Sequence, residues 1–187
     1  MSIINKIAQW IWPPTPILDF TENAQRCLAL SRRAAVSCRT SAVDDMHVLV
    51  GILWLRDCSA VAVLKEAGVG ADILLERLKK VIPMGAAEIS AESLFYTDEV
   101  KKILAYSMRE AGSVGATRVG TDHIVLGILR LGQGKADEVM RDLGLELHRF
   151  RLLVQKRENE AEKKPHQALV PTTASVTPPA AQEPRQP

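Results

Sequence analysis

His47 and His123 are the residues of this chain whose surroundings first suggest chemistry. They lie in two near-copies of one run, Val43-Asp44-Asp45-Met46-His47-Val48-Leu49-Val50-Gly51-Ile52-Leu53-Trp54 and Val119-Gly120-Thr121-Asp122-His123-Ile124-Val125-Leu126-Gly127-Ile128-Leu129-Arg130. Imidazoles beside carboxylates invite a metal or acid–base reading. Neither histidine has a second histidine or a cysteine at ligand spacing, and each falls at a helix start, where the dipole opposes added positive charge. Packed, hydrogen-bonded structural histidines are the better reading, and no metal is expected. His148 and His166 have less informative neighbours. Cys27 falls on the apolar face of a predicted helix with no base or oxyanion arrangement in view, which makes it core rather than nucleophile. Gly132-Gln133-Gly134-Lys135 has the wrong spacing for a phosphate-binding loop, and Ala136 stands where a metal-binding hydroxyl belongs, so it reads as a turn between helices. No catalytic constellation and no cofactor site emerge.

The two histidines are 76 residues apart, and the same shift superposes Phe20-Thr21-Glu22 on Tyr96-Thr97-Asp98, Ala60 on Ala136, Val63 on Val139 and Gly68 on Gly144. The chain is therefore a tandem repeat. In each copy Thr121, or Asp45, is placed to accept a hydrogen bond from the first-turn amides of the helix it opens. The nearly continuous apolar residues behind it predict a central helix buried on most of its circumference. Gly51 and Gly127 inside that helix cost roughly 1 kcal/mol each against alanine, which close approach of a neighbouring helix explains. Before it, Thr21 can cap a helix carrying Ala24, Cys27, Leu28, Ser31, Ala34 and Ala35; its counterpart carries Val100, Ile103, Leu104, Ser107, Met108 and Ala111. After it come a short helix, about 59–67 and 135–143, stopped by Gly68 and Gly144 in the left-handed position, and a fourth helix. The latter carries Ile73, Leu74, Leu78, Val81 and Ile82, or Leu147, Phe150, Leu153 and Val154.

The fold class is thus all-α: eight helices in two four-helix units related by a pseudo-twofold axis. Composition agrees, with 187 residues, 47% hydrophobic content and only 4% aromatic. A net charge of +2 is too mild to announce nucleic acid. Three cysteines without C-x-x-C spacing suggest neither a disulfide framework nor zinc, and with no signal-like N-terminus or membrane-length apolar run a cytoplasmic setting is expected.

Residues 1–19 form an N-terminal segment that places Ile3, Ile4, Ile7, Trp10 and Ile11 on one helical face, ended by Pro13, Pro14 and Pro16. So short a helix needs a surface to bury that face. Its own domain is the first choice, a partner protein the second, and a membrane interface a distant third, because one lysine gives little attraction to anionic lipid. The double repeat occupies 20–155, with copies at about 20–84 and 95–155 joined by an exposed link near 83–94. The Arg32-Arg33 and Lys79-Lys80 pairs and the run His148–Arg151 read as solvated helix faces. Beyond Gln155 a charged stretch and a Pro/Ala-rich tail, 156–187, lack the apolar content to order themselves.

The series Phe-Thr-Glu-x-Ala-Gln-x-x-Leu-x-Leu (Phe20–Leu30), Gly-Thr-Asp-His-Ile-x-Leu-Gly-Ile-Leu (Gly120–Leu129) and Leu-Gly-Leu (Leu143–Leu145) resembles the Clp repeat domain, the N-terminal domain of Clp-type AAA+ unfoldases of the ClpC kind. That resemblance implies a non-catalytic module recognising protein substrates or adaptors for a Clp-type AAA+ unfoldase, a Clp protease, or both. No ATPase signature follows the repeats in this chain, so the expectation is a stand-alone adaptor or accessory factor. The alternative is a tethering protein held by its Ile/Trp segment to a membrane or larger assembly. In ClpC-like domains a glutamate of the Gly-Thr-Glu-His motif contributes to binding phosphoarginine. The matching positions here are Met46, which cannot form an ion pair, and Asp122, one methylene shorter, which keeps only the second site open. Thr121, Asp122, Met46 and Trp10 are accordingly the candidate binding residues.

Overall fold

The computed structural model describes residues 18–163. Among them eight α-helices carry the architecture in two sets of four. The first set is α1 (Glu22–Ser37), α2 (Asp45–Leu55), α3 (Ser59–Glu66) and α4 (Ala71–Val81); the second is α5 (Asp98–Ser113), α6 (Thr121–Leu131), α7 (Lys135–Asp142) and α8 (Leu147–Lys163). Thr21 caps α1 by accepting from Ala24 N at 3.2 Å, and Thr97 caps α5 through Val100 N at 3.4 Å. Both central helices, α2 and α6, are buried from their first residue through Leu53 and Leu129 respectively, as the unbroken apolar runs predict.

The two glycines explain how closely the long helices approach. A Cβ on Gly51 would stand 2.5 Å from Cys27 O, and one on Gly127 would collide with Ile103 O, the equivalent carbonyl of α5. Only a residue without a side chain lets α1 pack on α2, and α5 on α6, at this distance. Gly68 and Gly144 have φ of +88° and +78° and turn the chain out of α3 and α7.

Four two-residue strands join the sets, and every pairing crosses between repeats. β1 (Asp19–Phe20) runs parallel to β4 (Arg118–Val119), and β2 (Ala42–Val43) parallel to β3 (Phe95–Tyr96). Within each copy the strands precede α1 and α2, or α5 and α6, so each repeat exchanges both strands with the other. Hydrophobic periodicity over helices gave no sign of them, because a two-residue strand has no period to read.

Three helix-level expectations change. Ile73 and Val81 of α4 are 58% and 44% exposed, leaving Leu74 and Leu78 as the buried residues of that face. The last helix continues past Gln155 to Lys163, since its Lys, Arg, Glu and Ala residues favour helix and Arg157 pairs with Glu66 of α3. The link contains a 3-10 turn, Ala91–Ser93, and Gly85 N donates to Cys38 O at 2.8 Å. No helix among the described residues is long and apolar enough to cross a membrane alone.

Candidate functional site

Asp45 and Thr121 do not cap the helices they open. Asp44 and Gly120 hold the cap positions, which makes Asp45 and Thr121 the first helical residues. Each instead reaches into the other repeat. Asp45 Oδ2 accepts from Ala136 N at 2.9 Å, and Thr121 Oγ1 accepts from Ala60 N at 3.1 Å while standing 3.0 Å from Ser59 Oγ. Ala60 and Ala136 are themselves equivalent, so the central helix of each repeat caps the short helix of its neighbour. A cap of this kind contributes about 0.5–2 kcal/mol. Burial pushes the Asp45 carboxyl above its usual range, opposed by the Ala136 amide.

Asp122 and Met46 differ for a local reason. In the first copy Asp44 Oδ1 accepts from His47 N at 3.1 Å. Gly120, its counterpart, has no side chain, and Asp122 Oδ1 fills the vacant space and accepts from His123 N at 3.1 Å. The carboxylate has moved two positions along the chain while keeping its amide partner. Thr121, Asp122 and Met46 are all buried, and Asp122 is only 4% exposed. Trp10 lies outside the described residues.

The histidines complete the same motif. His47 Nδ1 accepts from Asp44 N at 3.3 Å and His123 Nδ1 from Gly120 N at 2.9 Å. Each Nδ1 also faces the neighbouring carboxylate, His47 at 2.6 Å from Asp44 Oδ1 and His123 at 3.5 Å from Asp122 Oδ1. Asp122, His123 and Glu158 offer ligand atoms within 4.8 Å of one another, and His123 Nδ1 is engaged by Gly120 N. Cys27 is fully buried, its thiol pushed up by burial and by nearby Cys58. Gly132, in left-handed conformation, and Gly134 form the turn between α6 and α7.

A charged cleft lies among α5, α6 and α8, joining residues that no motif in the sequence links. Glu110 is fully buried yet accepts from Arg130 Nη1 at 2.7 Å and from Arg151 Nε and Nη2 at 2.7 and 2.8 Å. Burial alone would raise the Glu110 carboxyl; the Arg151 and Arg130 guanidiniums outweigh it and hold the group below the usual glutamate range. Arg130 also lies over the Tyr106 ring, 5.4 Å from its centroid. The cleft, about 580 Å³, is completed by Ser113, Val114, Leu147 and Gln155. Arg151 is thus no solvated-face residue. The signal was available: Glu110 falls seven residues after Ile103, on the apolar face of α5, where a charge requires a partner. By the 76-residue shift the first repeat has Ala34, Trp54 and Leu75 in place of Glu110, Arg130 and Arg151, with Trp54 40% exposed.

These features define a class: a helical double repeat whose halves exchange strands and caps, with a charged cluster in the second copy at positions where the first has Ala34, Trp54 and Leu75. The pattern of the family described as the Clp repeat (R) N-terminal domain matches residues 19–143 and 96–182, and the chain belongs to that family. It is 35% identical over 132 residues to the chaperone protein ClpB of Oceanobacillus iheyensis, and 33% identical over 132 residues to the negative regulator of genetic competence ClpC/MecB of Bacillus subtilis. Each match covers 71% of this chain and 16% of the relative, so the chain spans about a sixth of the length of these proteins. Among solved structures the N-domain of ClpV from Vibrio cholerae superposes with a TM-score of 0.65 at 11% identity, covering 84% of this chain and 87% of that one, a likeness of fold.

Proposed function

We propose that this chain is a non-catalytic protein-binding module that works in the cytoplasm with a Clp-type AAA+ unfoldase or its Clp protease, as an adaptor or accessory factor presenting substrates or adaptors. The observation that carries this reading is the family match across the whole double repeat, at 33–35% identity to the corresponding part of ClpB and ClpC proteins. The surface positions that differ between the copies, Trp54 in one and the Arg130–Arg151 pair in the other, support it. The buried centre, with its reciprocal caps, is occupied by scaffold contacts, whereas the Trp54 face and the Arg130–Arg151 cleft reach the surface. Phosphoarginine recognition at Asp122 would fall to Oδ2 of a residue only 4% exposed, because Oδ1 accepts from His123 N.

The test adds the purified chain to a ClpC-type unfoldase and Clp protease degrading a fluorescent reporter, with association followed by sedimentation velocity. Binding to the unfoldase, the protease or the reporter, together with a changed degradation rate, is the expected result. No association in the presence of either ATP or ADP would sink the proposal.

A further inference from the structure

We propose that the cleft between Arg130 and Arg151 is a receptor for a carboxylate on a partner protein, an aspartate or glutamate side chain or a free C-terminus. This rests on the reading of the chain as a protein-binding module and names what one of its faces takes.

Three observations point to it. The first is charge: two guanidiniums share a single carboxylate, so the cluster keeps one net positive charge. Arg130 spends only Nη1 on Glu110, and Arg151 only Nε and Nη2. Arg130 Nε and Nη2 and Arg151 Nη1 are engaged by no other described residue, and both side chains are about a third exposed at the cleft.

The second is rigidity. Glu110 holds both guanidiniums from beneath and Tyr106 lies against one of them, so the spare donors are fixed before a ligand arrives, which lowers the entropy cost of binding. The third is that the fold does not require the charges. At the equivalent sequence positions the first repeat has Ala34, Trp54 and Leu75. Replacing a buried ion cluster by apolar residues is commonly neutral or stabilising, so stability alone gives no reason for the triad. The single net charge selects the ligand: one carboxylate balances it, while a phosphate dianion would face Glu110 with excess negative charge. Leu147 and Val114 supply an apolar wall for the residue beside that carboxylate.

The experiment follows the arginine Nε–H resonances of the ¹⁵N-labelled full chain. The probes are sodium acetate, inorganic phosphate, the peptide acetyl-Leu-Glu-Leu-amide, its glutamine analogue, and acetyl-Leu-Leu with a free C-terminus. Saturable shifts of Arg130 and Arg151 are expected with acetate and with one or both carboxylate peptides, the better of the two showing which source is read. Binding of the glutamine analogue should be at least about tenfold weaker, a loss of about 1.4 kcal/mol, and phosphate should bind no better than acetate. The variant Glu110→Ala/Arg130→Trp/Arg151→Leu, which installs the first repeat's residues, should abolish the shifts of the remaining cleft amides. If it does not fold, the glutamate and glutamine arms on the wild type decide alone. Absence of saturable shifts, equal binding of the glutamine analogue, or tighter binding of phosphate would overturn the proposal. A folded triple variant that still alters reporter degradation as the wild type does would remove this cleft from the function while leaving the protein-binding reading intact; a wild type that binds acetate yet never associates with the degradation machinery would do the reverse.

Discussion

Asp122 and Met46 show how two copies of one motif diverge without losing a hydrogen bond. The acceptor for the histidine amide sits at position 44 in one copy and at position 122, two residues later in register, in the other. Asp122→Met alone should strand the His123 amide and cost about 1–3 kcal/mol in urea unfolding. Adding Gly120→Asp, which recreates the first copy's arrangement, should recover much of that loss. Gly120→Asp alone should destabilise, because its Cβ meets Asp122 Oδ1. Additive behaviour of the two changes would contradict the shared-acceptor account. Glu110 makes its own prediction through pH. Its carboxyl lies below the ordinary value of 4.5 in the folded state, so its stabilisation is fully present above that value and is lost as pH falls through the folded-state value. Glu110→Gln should cost about 1–3 kcal/mol at neutral pH and flatten the decline in stability below pH 4.5, as measured by thermal unfolding across an acid series.

Among the elements, α2 and α6 were the most legible. Their apolar runs and internal glycines, like the stops at Gly68 and Gly144 that end α3 and α7, follow from local rules of burial and backbone conformation. Gly127→Ala tests the close contact with α5: alanine favours helix by about 1 kcal/mol, yet its methyl collides with a backbone carbonyl, so a net loss of about 1–3 kcal/mol is expected. A stabilised variant in chemical denaturation would disprove the steric account. Helix α8 was less legible at its end. The composition beyond Gln155 lacks apolar residues, but Phe150 and Val154 anchor the preceding turns in the core, and the helix needs only propensity and the Arg157–Glu66 pair to run on to Lys163.

The molecule as a whole is bound together by exchanges that leave neither repeat complete. Each lacks partners for its two strands and a cap for its short helix until the other is present. A fragment of residues 19–84 should therefore show little helix by far-UV circular dichroism, and the intact chain should unfold in one transition by fluorescence and dichroism alike. A stably helical isolated fragment would refute that interdependence. The repeat, its 76-residue interval, the eight helices and the buried centres are legible along the chain, because periodicity, caps and glycines act over distances of a few residues, and the family is legible as a resemblance of motifs. Which repeat each cap serves, where the paired strands lie, and that Glu110, Arg130 and Arg151 meet emerge on folding. Those contacts join residues far apart in the chain, and local spacing carries no record of them; the lone charge on the apolar face of α5 announced that a partner was needed without saying which.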